Sequence, residues 1–215
     1  MESDVAVRML LNAIKLVKPY YIKVENPIIP ENYIQVERSF AYELYHQWSR
    51  LLEIYKGLHP KEKKLILSSE IPKGEEDMKF PDLILHGGQD DISSQILICE
   101  IKRTDDRNYP SDNDILKDIV KLNRFTTSFY SKSLNKDIRF KHGAFILINC
   151  SAQKFKERIK KLTPAIIEGC KDGLEKLSLI SVSVSKRELQ IYSIQGKEIC
   201  NQYIVDDFNE NVLVL

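Results

Sequence analysis

Three short apolar runs in close succession constrain this chain most. LILSSE (65–70), PDLILH (81–86) and QILICEIK (95–102) are separated by polar stretches carrying Pro72, Gly74, Gly87 and Gly88. Each run is too short for a stable helix and is bounded by residues that break regular structure, so the pattern predicts three consecutive strands in an antiparallel meander. Helical periodicity flanks them. Phe40, Leu44, Trp48, Leu51 and Ile54 mark the buried side of a helix from about Glu37 to Lys56, and DNDILKDIVKLNRFTTSFY predicts another from about Asp112 to Tyr130.

The run GAFILIN (143–149) then reads as a strong strand, followed by a helix from Ala152 to about Leu177, either continuous or interrupted at Pro164. Two strand-like runs, LISVSVS and ELQIYSI, extend the sheet. The order is that of an α/β fold with a mixed sheet flanked by helices, in which a strand reached through a helix lies parallel to its predecessor. Upstream, Asp4 is placed to cap a helix carrying Val5, Met9, Leu10, Ala13, Ile14 and Val17 on one face and ending before Pro19. We read 1–215 as a single domain with 1–36 as an N-terminal helical extension.

Composition narrows the function classes. At 215 residues and 43% apolar content the chain can bury a proper core. Its 32 basic residues balance 31 acidic ones to a formal charge of +1, so any surface for a polyanion must be local. Arg8, Lys15 and Lys18 interrupt the N-terminal apolar stretch, which leaves neither a signal peptide nor a membrane span, and a cytoplasmic protein with no membrane partner is expected. Cys99, Cys150, Cys170 and Cys200 lie far apart without metal-ligand spacing and read as reduced thiols. No internal repeat or low-complexity tract is present.

Asp82 and Glu100 carry the chemistry. If the hairpin between them is symmetric about residue 91, they face each other on antiparallel strands, where opposed Cβ atoms lie ~4.5–5.5 Å apart. Both carboxylates can then hold one Mg²⁺ or Mn²⁺ ion; a register slip of one residue would separate them. Lys102, two residues beyond Glu100, points to the same side of its strand while Ile101 points to the other. An acid pair, a divalent cation and an ammonium group meet the needs of phosphodiester hydrolysis: an activated water and positive charge for the anionic transition state. Lys102 can neutralise the phosphate or orient the water, or act as a base if its surroundings lower its pKa.

The arrangement of Pro81-Asp82 and Glu100-Ile101-Lys102, within a helix, three strands, a helix and a strand, resembles the PD-(D/E)XK nuclease superfamily over roughly residues 37–150. The resemblance implies a restriction-endonuclease-like core (α-β-β-β-α-β), Mg²⁺ or Mn²⁺ as cofactor, nucleic acid and most readily DNA as substrate, and a homodimer as one form of the protein. It also implies an acidic residue from the helix before the first strand; Glu43 is the first choice and Glu37 the second. Glu70 is a further candidate ligand.

In the helix after the EIK strand, DILKDIVK is similar to the D-I-x-K-L stretch of some members of that superfamily, with Lys117 and Lys121 on one face as phosphate contacts or surface groups. The segment 153–161 gathers Lys154, Lys156, Arg158, Lys160 and Lys161 around one Glu157, a second possible nucleic-acid surface or a solvated helix face. His46, His59, His86 and His142 show no metal-ligand spacing, although His86 closes the PD strand.

Overall fold

The structure, a computed structural model, describes residues 1–21, 23–25, 33–35, 37–69, 81–88, 94–104, 109–127, 129–131, 136–170, 172–183, 188–195 and 198–205. Its helices are α1 (Ser3–Leu16), α2 (Glu37–Leu58), α3 (Asp112–Thr127) and α4 (Ala152–Cys170). Its strands are β1 (Lys23–Glu25), β2 (Tyr33–Gln35), β3 (Leu65–Ser69), β4 (Leu83–Gly87), β5 (Gln95–Arg103), β6 (Phe129–Ser131), β7 (Lys136–Ile138), β8 (His142–Ile148), β9 (Leu177–Ser183), β10 (Glu188–Gln195) and β11 (Glu198–Val205). Seven of them form one mixed sheet in the order β11-β10-β9-β8-β5-β4-β3, and β1-β2 and β6-β7 are separate small hairpins.

The meander β3-β4-β5 is antiparallel, and β8, reached from β5 through α3, lies parallel to it. β9 is likewise parallel to β8 through α4, while β10 and β11 run antiparallel. The chain is therefore α/β, with helices on both faces of the sheet. Leu97, Cys99 and Ile101 of β5 pack against α1 and α2; Ile98 of the same strand packs with α3 and α4. This alternation of a strand buried on both faces explains why QILICEIK is almost continuously apolar. The apolar face of α1 (Ala6, Met9, Leu10, Ala13, Ile14) belongs to the same buried cluster as the sheet.

Several element ends differ from those expected. α1 begins at Ser3, two residues before the start that an Asp4 cap would set, so Asp4 lies in its first turn, where its negative charge is favourable at the positive end of the helix dipole. α3 stops at Thr127, not Tyr130: Thr126 and Thr127 turn their hydroxyls onto the Asn123 carbonyl, and the β-favouring Phe129-Tyr130-Ser131 pairs with β7.

α4 runs unbroken through Pro164; the carbonyl that loses its partner, that of Lys160, belongs to an exposed residue. The same helix ends at Cys170, short of Leu177, and Gly173, with a left-handed φ of 82°, opens the short 3-10 turn Leu174–Lys176 that leads into β9. Strand β11 and the two small hairpins lie beyond the elements read from the sequence.

Candidate active site

Residues 83–85 pair with 99–97 in the register the symmetric hairpin requires: Leu83 faces Cys99, Ile84 faces Ile98 and Leu85 faces Leu97. A bulge between Leu85 and His86 shifts the pairing only farther along, toward the turn. Asp82 sits just ahead of β4 and brackets Glu100. Its backbone N–H donates to the Cys99 carbonyl (3.1 Å), and its Oδ2 accepts from the Ile101 N–H (2.6 Å). The side chain thus takes over a β5 donor at the point where the ladder ends, and this fixes the carboxylate in place.

Glu100 and Lys102 share the face of β5 that looks toward α3. Glu100 is 3% exposed, and Lys121, projecting from α3, is in ion-pair contact with its Oε1, which has no other hydrogen-bond partner among the described residues. Asp118, one turn before Lys121, lies between two ammonium groups: Lys102 Nζ is 3.4 Å from Oδ2 and Lys121 Nζ 3.7 Å from Oδ1. Glu100, Lys121, Asp118 and Lys102 therefore form one chain of alternating charge.

The helix preceding the meander contributes Glu37. Its Oε2 accepts the Arg103 N–H (3.1 Å), and its charge acts on both Asp82 and Lys102. Glu37, Arg38, Tyr42, Ser69 and Asp82 line a shared hollow. Glu43 is buried, but with other partners: Gln47 donates to its Oε1 (2.6 Å) and the His46 ring lies 3.4 Å from its Oε2. Six residues, nearly two helical turns, separate the two acids. The structure places Glu37 beside Asp82 and seats Glu43 among Gln47, His46 and Tyr21.

Burial pushes Asp82 up to about 6, against the Ile101 hydrogen bond and Lys102, with Glu37 adding to the rise. Burial likewise pushes Glu100 up to about 8, opposed by Lys121 and reinforced by Asp82 and Asp118. For Lys102 burial works against the charge, but Asp118, Glu37, Glu100 and Asp82 outweigh it and hold the pKa above its usual value. These carboxylates favour the ammonium form of Lys102.

Among these mutually acting groups four carboxylates (Glu37, Asp82, Glu100, Asp118) face two ammonium groups (Lys102, Lys121). One buried and one half-buried carboxylate, both with raised pKa values, suit a hard divalent cation, which is commonly held by one or two carboxylates plus water and substrate oxygens. Among the described residues no group of three His, Cys, Asp or Glu side chains is already gathered around a point. Glu70 lies outside the described residues.

Other sequence candidates divide by position. Lys117 is exposed, whereas Lys121 is drawn into the site; the two do not present a common free face. In α4, Lys154, Lys156 and Lys160 are exposed, while Arg158 and Lys161 pair with Asp112 at 2.7 and 2.9 Å. Arg158 also donates to the Pro110 carbonyl and lies over the Tyr109 ring, so part of the basic run secures the N-terminal end of α3. His86 is buried and 3.1 Å from Ser68 Oγ, and His59 stacks against Tyr55. All four cysteines are free thiols. No described helix is long and apolar enough to cross a membrane.

Asp118 was not among the sequence candidates, yet a signal for it exists. It interrupts the stripe Ile115, Ile119, Leu122, and a carboxylate on a buried helix face demands a cationic partner. Comparison with protein-family models, curated proteins and solved structures gives no match.

Proposed function

We propose that this chain is a metal-dependent nuclease of the PD-(D/E)XK kind, hydrolysing phosphodiester bonds in nucleic acid, with DNA as the first substrate to test. The observation that carries this reading is the placement of Asp82, just ahead of β4, against residues 99–101 and beside Glu100, whose strand also presents Lys102. The element order supports it: a helix, an antiparallel three-strand meander, a helix and a parallel strand, with a restriction-endonuclease-like core as the finer description.

Asp82 and Glu100 would hold Mg²⁺, or Mn²⁺ in its place. Bound there, the ion would supply an activated water and positive charge at the scissile phosphate. Asp82 keeps one oxygen on the Ile101 N–H, which orients the other. Lys102, held as an ammonium group by the carboxylates around it, neutralises a phosphate oxygen and orients the water. Glu37 braces the start of α2 against the end of β5 through the Arg103 N–H, and its charge acts on Asp82, so it would add to the negative field that favours a cation there.

The test is incubation with plasmid, linear duplex and single-stranded DNA and with RNA, in Mg²⁺ or Mn²⁺ and in EDTA. Metal-dependent scission of one of these polymers, lost in Lys102→Ala, supports the reading. A metal-induced rise in melting temperature without scission favours a nuclease-fold binding module, and neither response rejects both.

A further inference from the structure

We infer that Lys121 is the internal counterion of the proposed metal site: its ammonium group occupies the Glu100 carboxylate until a divalent cation displaces it, and Asp118 receives it. This rests on the metal-binding reading above and adds to it a residue that sets how tightly the ion is held.

The geometry separates Lys121 from an ordinary surface lysine. Its side chain is 16% exposed and reaches from α3 to touch Glu100 Oε1, while Lys117, one turn earlier, stays in solvent. Glu100 needs such a partner, because a carboxylate that is 3% exposed is strongly disfavoured without a compensating charge. Besides Lys121, Oε1 has no hydrogen-bond partner among the described residues. An ammonium group is thus a serviceable but replaceable occupant.

A route for replacement is also present. Asp118 Oδ1 lies 3.7 Å from Lys121 Nζ, three residues earlier on the same helix. A small rotation of the lysine side chain exchanges one carboxylate for the other without exposing the charge. Asp118 already holds Lys102 at 3.4 Å through its other oxygen, so displacement would bring both ammonium groups onto one carboxylate beside the proposed phosphate position.

Two ligands that compete for one carboxylate weaken each other, and the effect is reciprocal. The experiment is titration of the full chain with Mn²⁺, without nucleic acid, by calorimetry and by melting temperature, for wild type, Lys121→Met, Lys121→Arg and Glu100→Gln/Lys121→Met. Lys121→Met is expected to melt lower than wild type without metal and to bind Mn²⁺ roughly tenfold more tightly, within the usual span of coupled sites. Lys121→Arg should stay near wild type, and the double variant should recover metal-free stability while losing Mn²⁺ binding.

If Lys121→Met is unfolded without metal, refolding on addition of Mn²⁺ supports the inference and failure to refold overturns it. Unchanged or weaker binding by a folded Lys121→Met, with wild type binding Mn²⁺ normally, overturns the counterion role alone. Absence of binding by both proteins overturns the metal site with it, whereas binding confined to the variant supports the counterion role.

Discussion

The Asp82 carboxylate accepts the Ile101 backbone N–H at 2.6 Å, so the residue proposed to hold the ion also completes the hydrogen bonding of β5. The two roles separate by substitution. Asp82→Ala leaves a part-buried N–H unpaired and should lower stability by about 1–3 kcal/mol. Asp82→Asn keeps an accepting oxygen and removes a carboxylate that burial raises to about 6. A raised carboxylate contributes stability that is lost as pH rises through its folded value, so at pH 8 the Asn variant should be at least as stable as wild type. Both variants should lose the metal-induced rise in melting temperature. Urea denaturation with and without Mg²⁺ checks both outcomes.

Glu37 and Glu43 lie on one helix but make different contacts. Glu37→Gln removes the negative charge next to Asp82 while retaining an oxygen for the Arg103 N–H, and should reduce metal affinity or turnover by roughly 10–100-fold, the usual range for supporting groups. Glu43→Gln disturbs contacts to Gln47 and His46 and should leave metal affinity close to wild type. Parallel Mn²⁺ titrations decide between the two acids.

The sheet was legible because its strands are short, apolar and separated by strong breakers, and the hairpin symmetry even anticipated the register around Leu83 and Cys99. The small hairpins were hidden for the opposite reason: Phe129–Ser131 follows a helical pattern without a glycine or proline to mark the change. Asp82, Glu100 and Lys102 could be picked out because strand alternation links them. The helical partners could not be ranked in the same way. Glu43 and Glu37 are both plausible by type, and only the packing of α2 against the end of β5 distinguishes them; Lys121 was paired with Lys117 by spacing, yet its direction depends on where α3 crosses Glu100.

Away from the site, His142 gives the fold a pH dependence. Burial lowers its pKa to about 4, with Asp4 on α1 opposing the shift, and its Nε2 lies 2.8 Å from Ser178 Oγ. The unfolded chain takes up this proton near the ordinary histidine value of 6.5 and the folded chain only at about 4. Stability is therefore fully present above 6.5 and falls as pH drops toward 4, by at most about 3 kcal/mol from this group. His142→Gln should flatten that part of the stability profile, as measured by denaturation at pH 7.5, 6 and 5.

Gly173 should resist substitution. A Cβ there would lie 2.3 Å from Thr127 Cγ2, and the φ of 82° is unfavourable for alanine. Gly173→Ala is expected to cost roughly 1–3 kcal/mol in chemical denaturation, through strain and a clash at the join between α4 and β9.

The most direct measurement is the initial rate at which purified protein nicks supercoiled plasmid in Mg²⁺, compared between wild type and Asp82→Asn at matched stability. Scission by wild type that stops in EDTA and is lost in Asp82→Asn is the result expected of a metal-dependent site built on Asp82 and Glu100. Equal scission by the two proteins, or scission indifferent to EDTA, would contradict it.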